Sequence, residues 1–206
     1  MSSSKKPAAA LWSPSTPQQR EFWLKMKKEE YQKLAKEIPA GISQATKAIP
    51  HTSGLQPWCI SVVVSDIAYS PTWGSHWGLA LHPMGQSTGF LLHAVIAIGE
   101  TLYTWHVEGR EGDQIFYGAE GHFWIAQIDS SRVRLVMDIM KKMAPPNEQG
   151  MQCQDYVIAT VLQLELAGLV QPGMFNSLLV LREHDAEEMK AAAKNQWTSV
   201  SWKGPA

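Results

Sequence analysis

Between residues 59 and 128 the apolar positions fall in short runs and alternations typical of strands; beyond 130 they recur at helical spacing. The run CISVVVS, 59–65, is rich in β-branched residues and predicts a strand. SHWGLALH, 75–82, and GFLLHAVIAI, 89–98, predict two more, flanking the turn-forming PMGQST. TLYTWHV, 101–107, and DQIFYGAEGHFWIAQI, 113–128, extend this to an antiparallel meander. Gly109 and Gly112 are expected at the turn between those two, and a break is expected near Gly118. In 130–143, Val133, Val136, Ile139, Met140 and Met143 share one helical face. Asp129 or Ser130 is placed to cap that helix and Pro145-Pro146 to stop it. A second helix is predicted from Cys153 to Gly168, a glycine where a helix C-terminus favours one. SLLVLRE, 177–183, fits strand or helix, and 185–196 reads as a short solvated helix within a helical tail, 185–206. At the other end, 18–38 reads as a charged surface helix ended by Pro39 and Gly41, and 1–17 as a disordered tail. The expectation is one domain, 18–206, of class α+β: an antiparallel sheet packed against helices 130–143 and 153–168.

Composition narrows the function. A chain of 206 residues, 45% hydrophobic and 18% charged, suits one domain with its own core. A formal net charge of −1 supplies no global field for nucleic acid or acidic lipid. Two cysteines, Cys59 and Cys153, do not make a disulfide framework, and without an apolar leader a reducing cytoplasm is expected. No run reaches the ~18 apolar residues of a spanning helix. HVE, 106–108, echoes the H-x-E of zinc deaminases, but their P-C-x-x-C is missing. No phosphate-cradling glycine pattern occurs. Neither metal nor cofactor is expected, and the partner is expected to be a small-molecule or acyl-bearing substrate.

Three side chains stand out. Cys153 opens a helix whose positions 153, 157, 160, 161, 164 and 168 share a face, so its thiol points towards the core side at the first turn. Backbone N–H groups lack helical partners there and favour a thiolate; packing alone equally explains a cysteine on an apolar face. His76 and His93 sit in the two strands joined by PMGQST. A turn centred on Met84-Gly85 places them directly opposite, with Cβ atoms roughly 4.5–5.5 Å apart. His82 then falls about 20 Å from His76 along its strand, too far to share the site. GQSTG, 85–89, matches the G-x-S-x-G nucleophile elbow with Ser87 as nucleophile, but a glycine-rich hairpin turn explains it more simply.

The set His76-Trp77-Gly78, then His93, then Cys153 with Tyr156 three residues on, resembles the circularly permuted papain-like and NlpC-type thiol enzymes, the lecithin retinol acyltransferase-like proteins among them. The resemblance spans about 75–165, with Gln152 where those acyltransferases usually carry Asn. It implies a permuted papain-like fold and cysteine-dependent acyl chemistry, hydrolytic or transferring. Cys153 would be the nucleophile, His76 its base, His93 the residue orienting His76, and Trp77, Tyr156 and Trp73 a substrate pocket. An aminoacyl-tRNA-dependent cyclodipeptide synthase-like transferase is an alternative, against which the near-neutral charge argues. A non-catalytic interaction domain on the same fold, and a serine hydrolase using Ser87, are the others.

Overall fold

The computed structural model describes residues 56–65, 74–98, 103–112, 115–145 and 152–200. The expected tail at 1–17, the helix at 18–38 and Trp73 lie outside them. Within them the class is α+β. Five strands come first: β1 (Pro57–Ser65), β2 (His76–Pro83), β3 (Gly89–Ile98), β4 (Tyr103–Gly112) and β5 (Gly121–Asp129). Four helices follow: α1 (Val133–Lys142), α2 (Cys153–Leu166), α3 (Met174–Leu181) and α4 (Ala186–Ala193), and a last strand β6 (Trp197–Ser199) closes the order. The six strands form one sheet, β4-β3-β2-β1-β5-β6, with every neighbouring pair antiparallel.

Strand alternation gives the sheet two unlike faces. One presents Ile60, Val62, Val64, Trp77, Leu79, Leu81, Leu92 and Ala94 to the helices. There they meet Val136, Met140, Tyr156, Val157, Val161 and Leu178 in one continuous core. Each large side chain so buried contributes on the order of 1.5–3 kcal/mol. The other face carries His76, Gly78, Ala80 and His82 from β2, and Cys59, Ser61 and Val63 from β1. Among the described residues a small cluster of Val63, Ala80, Leu91, Ile115, Phe116 and Ala119 packs on its middle.

The helix α2 is the pillar of the helical layer. Its buried residues include Cys153, Gln154, Asp155, Tyr156, Val157, Ile158 and Thr160. It is therefore enclosed on nearly every side, and not merely on the face expected of it. Gly168, at φ +65°, follows its end as a C-terminal glycine should.

The structure corrects some of these expectations and resolves one left open. The strand β4 runs through Gly109 and Gly112, so the turn falls later, and of the described part of the predicted 113–128 only 121–128 is strand, β5 ending one residue beyond it. Ile115 and Phe116, read as strand, instead sit in turns whose side chains plug the open face. The ambiguous segment at 177–183 resolves as helix, because Phe175, Leu178 and Leu179 bury a helical stripe. The tail expected to be helical from 185 turns back at 197–199 as β6, where Trp197 lies over Gly121 of β5.

Candidate active site

Strand pairing brings His76 and His93 together by a route slightly different from the expected one. The β2–β3 register pairs Gly78 with His93 and Leu81 with Phe90, two residues away from a turn centred on Met84-Gly85. A two-residue slip keeps every side chain on its face, so the histidines become diagonal neighbours. His76 Nε2 lies 2.8 Å from His93 Nδ1, and the rings meet edge-on with centroids 5.1 Å apart. Gly78 makes the diagonal possible. A Cβ there would sit 2.8 Å from Leu91 Cδ1 and 3.3 Å from His93 Cβ, in the space the imidazole leans across.

Behind the pair stands a carboxylate. Glu108 faces His93 across β3–β4, its Oε2 3.8 Å from His93 Nε2. Burial, then the neighbouring His93 and Arg110, lower the His76 pKa to about 4, so its ring is neutral at physiological pH. Both histidines line a cavity of about 190 Å³ with Gly78, Leu91, Arg110 and Tyr117. Cys153 is not among its lining residues.

Cys153 belongs to the helix-side core and is 6% exposed. Pairing of β2 with β3 stops at Gly78, and the backbone N–H of the preceding residue, Trp77, is near enough to the Cys153 sulfur to favour its anion. The N–H groups of Gln154 and of Cys153 itself also support it. Those three donors favour a thiolate, but burial outweighs them. Burial, with the nearby Asp155 carboxylate adding to it, pushes the thiol to about 12. The sulfur thus lies beside the strand that carries His76, among backbone donors, and rests as a protonated thiol.

A buried polar scaffold fixes this corner. Arg182 clamps Asp155 with two bonds of 2.9 Å, Nε to Oδ1 and Nη2 to Oδ2. Asp155 in turn accepts the Gln152 backbone N–H at 2.6 Å and so caps α2. Gln154 donates to the Ser75 carbonyl at 2.7 Å and accepts from the Glu183 N–H at 2.7 Å. Ser75 reaches on to the His184 carbonyl at 2.8 Å. Asp155, Gln154 and Arg182 escape a motif reading because their partners are far away in sequence; the one local signal is an acid three residues past the N-cap position.

The remaining candidates are placed elsewhere. Trp77 is fully buried, its indole N–H on Ser75 Oγ at 3.0 Å, and Tyr156 donates its hydroxyl to the Met140 carbonyl at 2.8 Å. Both are core, not pocket, because alternation and helix packing turn them towards the helical layer. Ser87 lies in the β2–β3 hairpin turn, and the strand–turn–helix of a nucleophile elbow is absent from that segment. Cys59 is buried, 6% exposed, and borders a cavity of about 510 Å³ with His82.

No family model, curated protein or solved structure matches the chain. Among the described residues no group of three or more His, Cys, Asp or Glu side chains is placed to hold a metal ion, and no helix is long and apolar enough to cross a membrane.

Proposed function

We propose that the protein is a cysteine-dependent acyl-transfer enzyme on a permuted papain-like fold, with Cys153 as nucleophile and His76 and His93 as its acid–base pair. One observation carries the reading: the sulfur at the N-terminus of α2 lies near the backbone of Trp77, the residue that follows His76 in β2, while His76 is hydrogen-bonded to a second imidazole. The proposed step requires the sulfur and the His76 imidazole, which rest on opposite faces of the sheet, to come together; the sulfur then attacks an acyl carbonyl as its proton passes to His76, so no standing thiolate is needed. The backbone donors around the sulfur support the oxyanion. The leaving group departs with that proton, and water or an amine resolves the thioester.

The burial of the sulfur favours a second reading, a domain of this architecture that binds without catalysing. Incubation with p-nitrophenyl butyrate, followed by mass spectrometry of the intact chain, separates the two. The enzyme gains one butyryl group on Cys153, removable by hydroxylamine, and Cys153→Ser and His76→Ala do not. A wild-type chain that stays unmodified, or a His76→Ala variant acylated at the same rate, decides for the binding domain.

A further inference from the structure

The sheet has two edges, and they are built differently. One is β6, a strand of three residues, too short to template much pairing. The other is β4, ten residues from Tyr103 to Gly112, paired with β3 along its whole length without a bulge. Among the described residues no strand pairs with the outer side of β4, and Glu108 to Gly112 are exposed. An edge of this kind presents a row of backbone N–H and C=O groups, which soluble proteins commonly blunt with Lys, Pro, a bulge or a covering element. The strand YTWHVEGREG holds neither Lys nor Pro.

The charges along β4 make it complementary to itself. Glu108 and Arg110 are two residues apart, so both side chains stand on the face that carries His93 and Leu91, their partners in β3. Among the described residues no carboxylate forms an ion pair with Arg110. When a strand pairs antiparallel with its own copy about a two-fold axis, the numbers of opposed residues sum to a constant. An axis through Gly109 sets Glu108 of each copy opposite Arg110 of the other, with Cβ atoms roughly 4.5–5.5 Å apart. An axis through Glu108 or through Arg110 sets like charges face to face, which opposes pairing. The glycine at the centre keeps the axis itself clear of side chains.

We propose that the outer edge of β4 is a homodimer interface, in which two copies pair antiparallel about Gly109 and join their sheets into one of twelve strands, six from each. His106 to Gly112 of one copy runs against Gly112 to His106 of the other. Backbone hydrogen bonds supply the affinity, and two Glu108–Arg110 pairs fix the register. The axis stands perpendicular to the sheet, so both helical layers lie on the same side. The contact is one strand deep, which places it among small, reversible interfaces. It also joins the two histidine sites. Glu108 Oε2 is 3.8 Å from His93 Nε2, so the guanidinium of each copy stands beside the carboxylate that backs the other's histidine pair. The interface does not depend on the Cys153 chemistry.

Sedimentation velocity of the full chain over a range of concentrations tests the pairing. The expected result is a reversible monomer–dimer equilibrium. Glu108→Arg and Arg110→Glu each weaken it at least tenfold, because each sets like charges opposite one another. In an equimolar mixture of the two variants every opposed pair is again of opposite charge, and the mixture associates at least tenfold more tightly than either variant alone. The chain carrying both substitutions returns to within threefold of wild type. Recovery of this kind is beyond a variant that merely fails to fold. Hydrogen exchange of the wild type locates the contact, with backbone amides in 106–112 slowed at high concentration and not at low. The proposal is overturned by a chain that stays monomeric at every concentration, by a dimer that both single substitutions leave intact, or by failure of both the mixture and the double variant to recover association.

Discussion

Single side chains carry the sharpest consequences. Arg182 and Asp155 are both nearly inaccessible, 4% and 2% exposed, and each is the other's charge partner. Removing Arg182 takes the guanidinium away from a buried carboxylate, and breaking such a pair costs about 3–5 kcal/mol. Arg182→Ala should therefore lower unfolding stability by that amount in urea titration; a loss under 1 kcal/mol would show that the pair is not what holds the corner together. The buried histidines make stability depend on pH. In the unfolded chain a histidine titrates near 6.5, whereas His76 and His122 in the fold are lowered to about 4. Between those values the unfolded state binds more protons than the native one. Stability is then fully present above pH 6.5 and declines as pH falls towards 4, by up to about 1.4 kcal/mol per pH unit for His76 and less for the more open His122. Denaturation curves at pH 7, 6 and 5 should move to lower urea in that order, and His122→Phe should flatten the trend.

Among the elements, the β2–β3 hairpin decides the histidine geometry. Its existence was legible from two apolar runs around PMGQST, and so was the face that His76 and His93 share, because side-chain direction depends only on alternation. The register was not. It depends on how many residues the turn absorbs, and Gly89, at φ +156°, lets β3 begin close against Leu81 and His82. The diagonal contact that results places the demand for glycine at position 78. Gly78→Val should displace His93, break the imidazole pair and cost about 1–3 kcal/mol through overpacking against Leu91. The check is the loss of coupled ring shifts of His76 and His93 in NMR pH titrations, against wild type. Helix α1 was legible from its one-sided stripe, whereas α3 was ambiguous because a short apolar run fits either period.

At the scale of the molecule, the helical layer encloses Cys153, and among the described residues no helix covers the opposite face of the sheet. With its thiol pushed to about 12, Cys153 should be alkylated by iodoacetamide at pH 8 on the order of a thousandfold more slowly than a free thiol near 8.5, measured in a Cys59→Ser background. Fast alkylation would mean that the corner opens readily. By itself the sequence determined the α+β class, the order of β1 to β5 and of α1 and α2, the faces that His76 and His93 share and the position of Cys153 at a helix start, since each follows from local periodicity and breakers. Only the tertiary structure decided the rest: that α2 is buried nearly all round, that Asp155 is paired with an arginine 27 residues on, that residues 197–199 join the sheet, and that a cavity forms over His82 and His122. These are contacts between segments far apart in the chain. Their energies come from burial and pairing that no local pattern encodes.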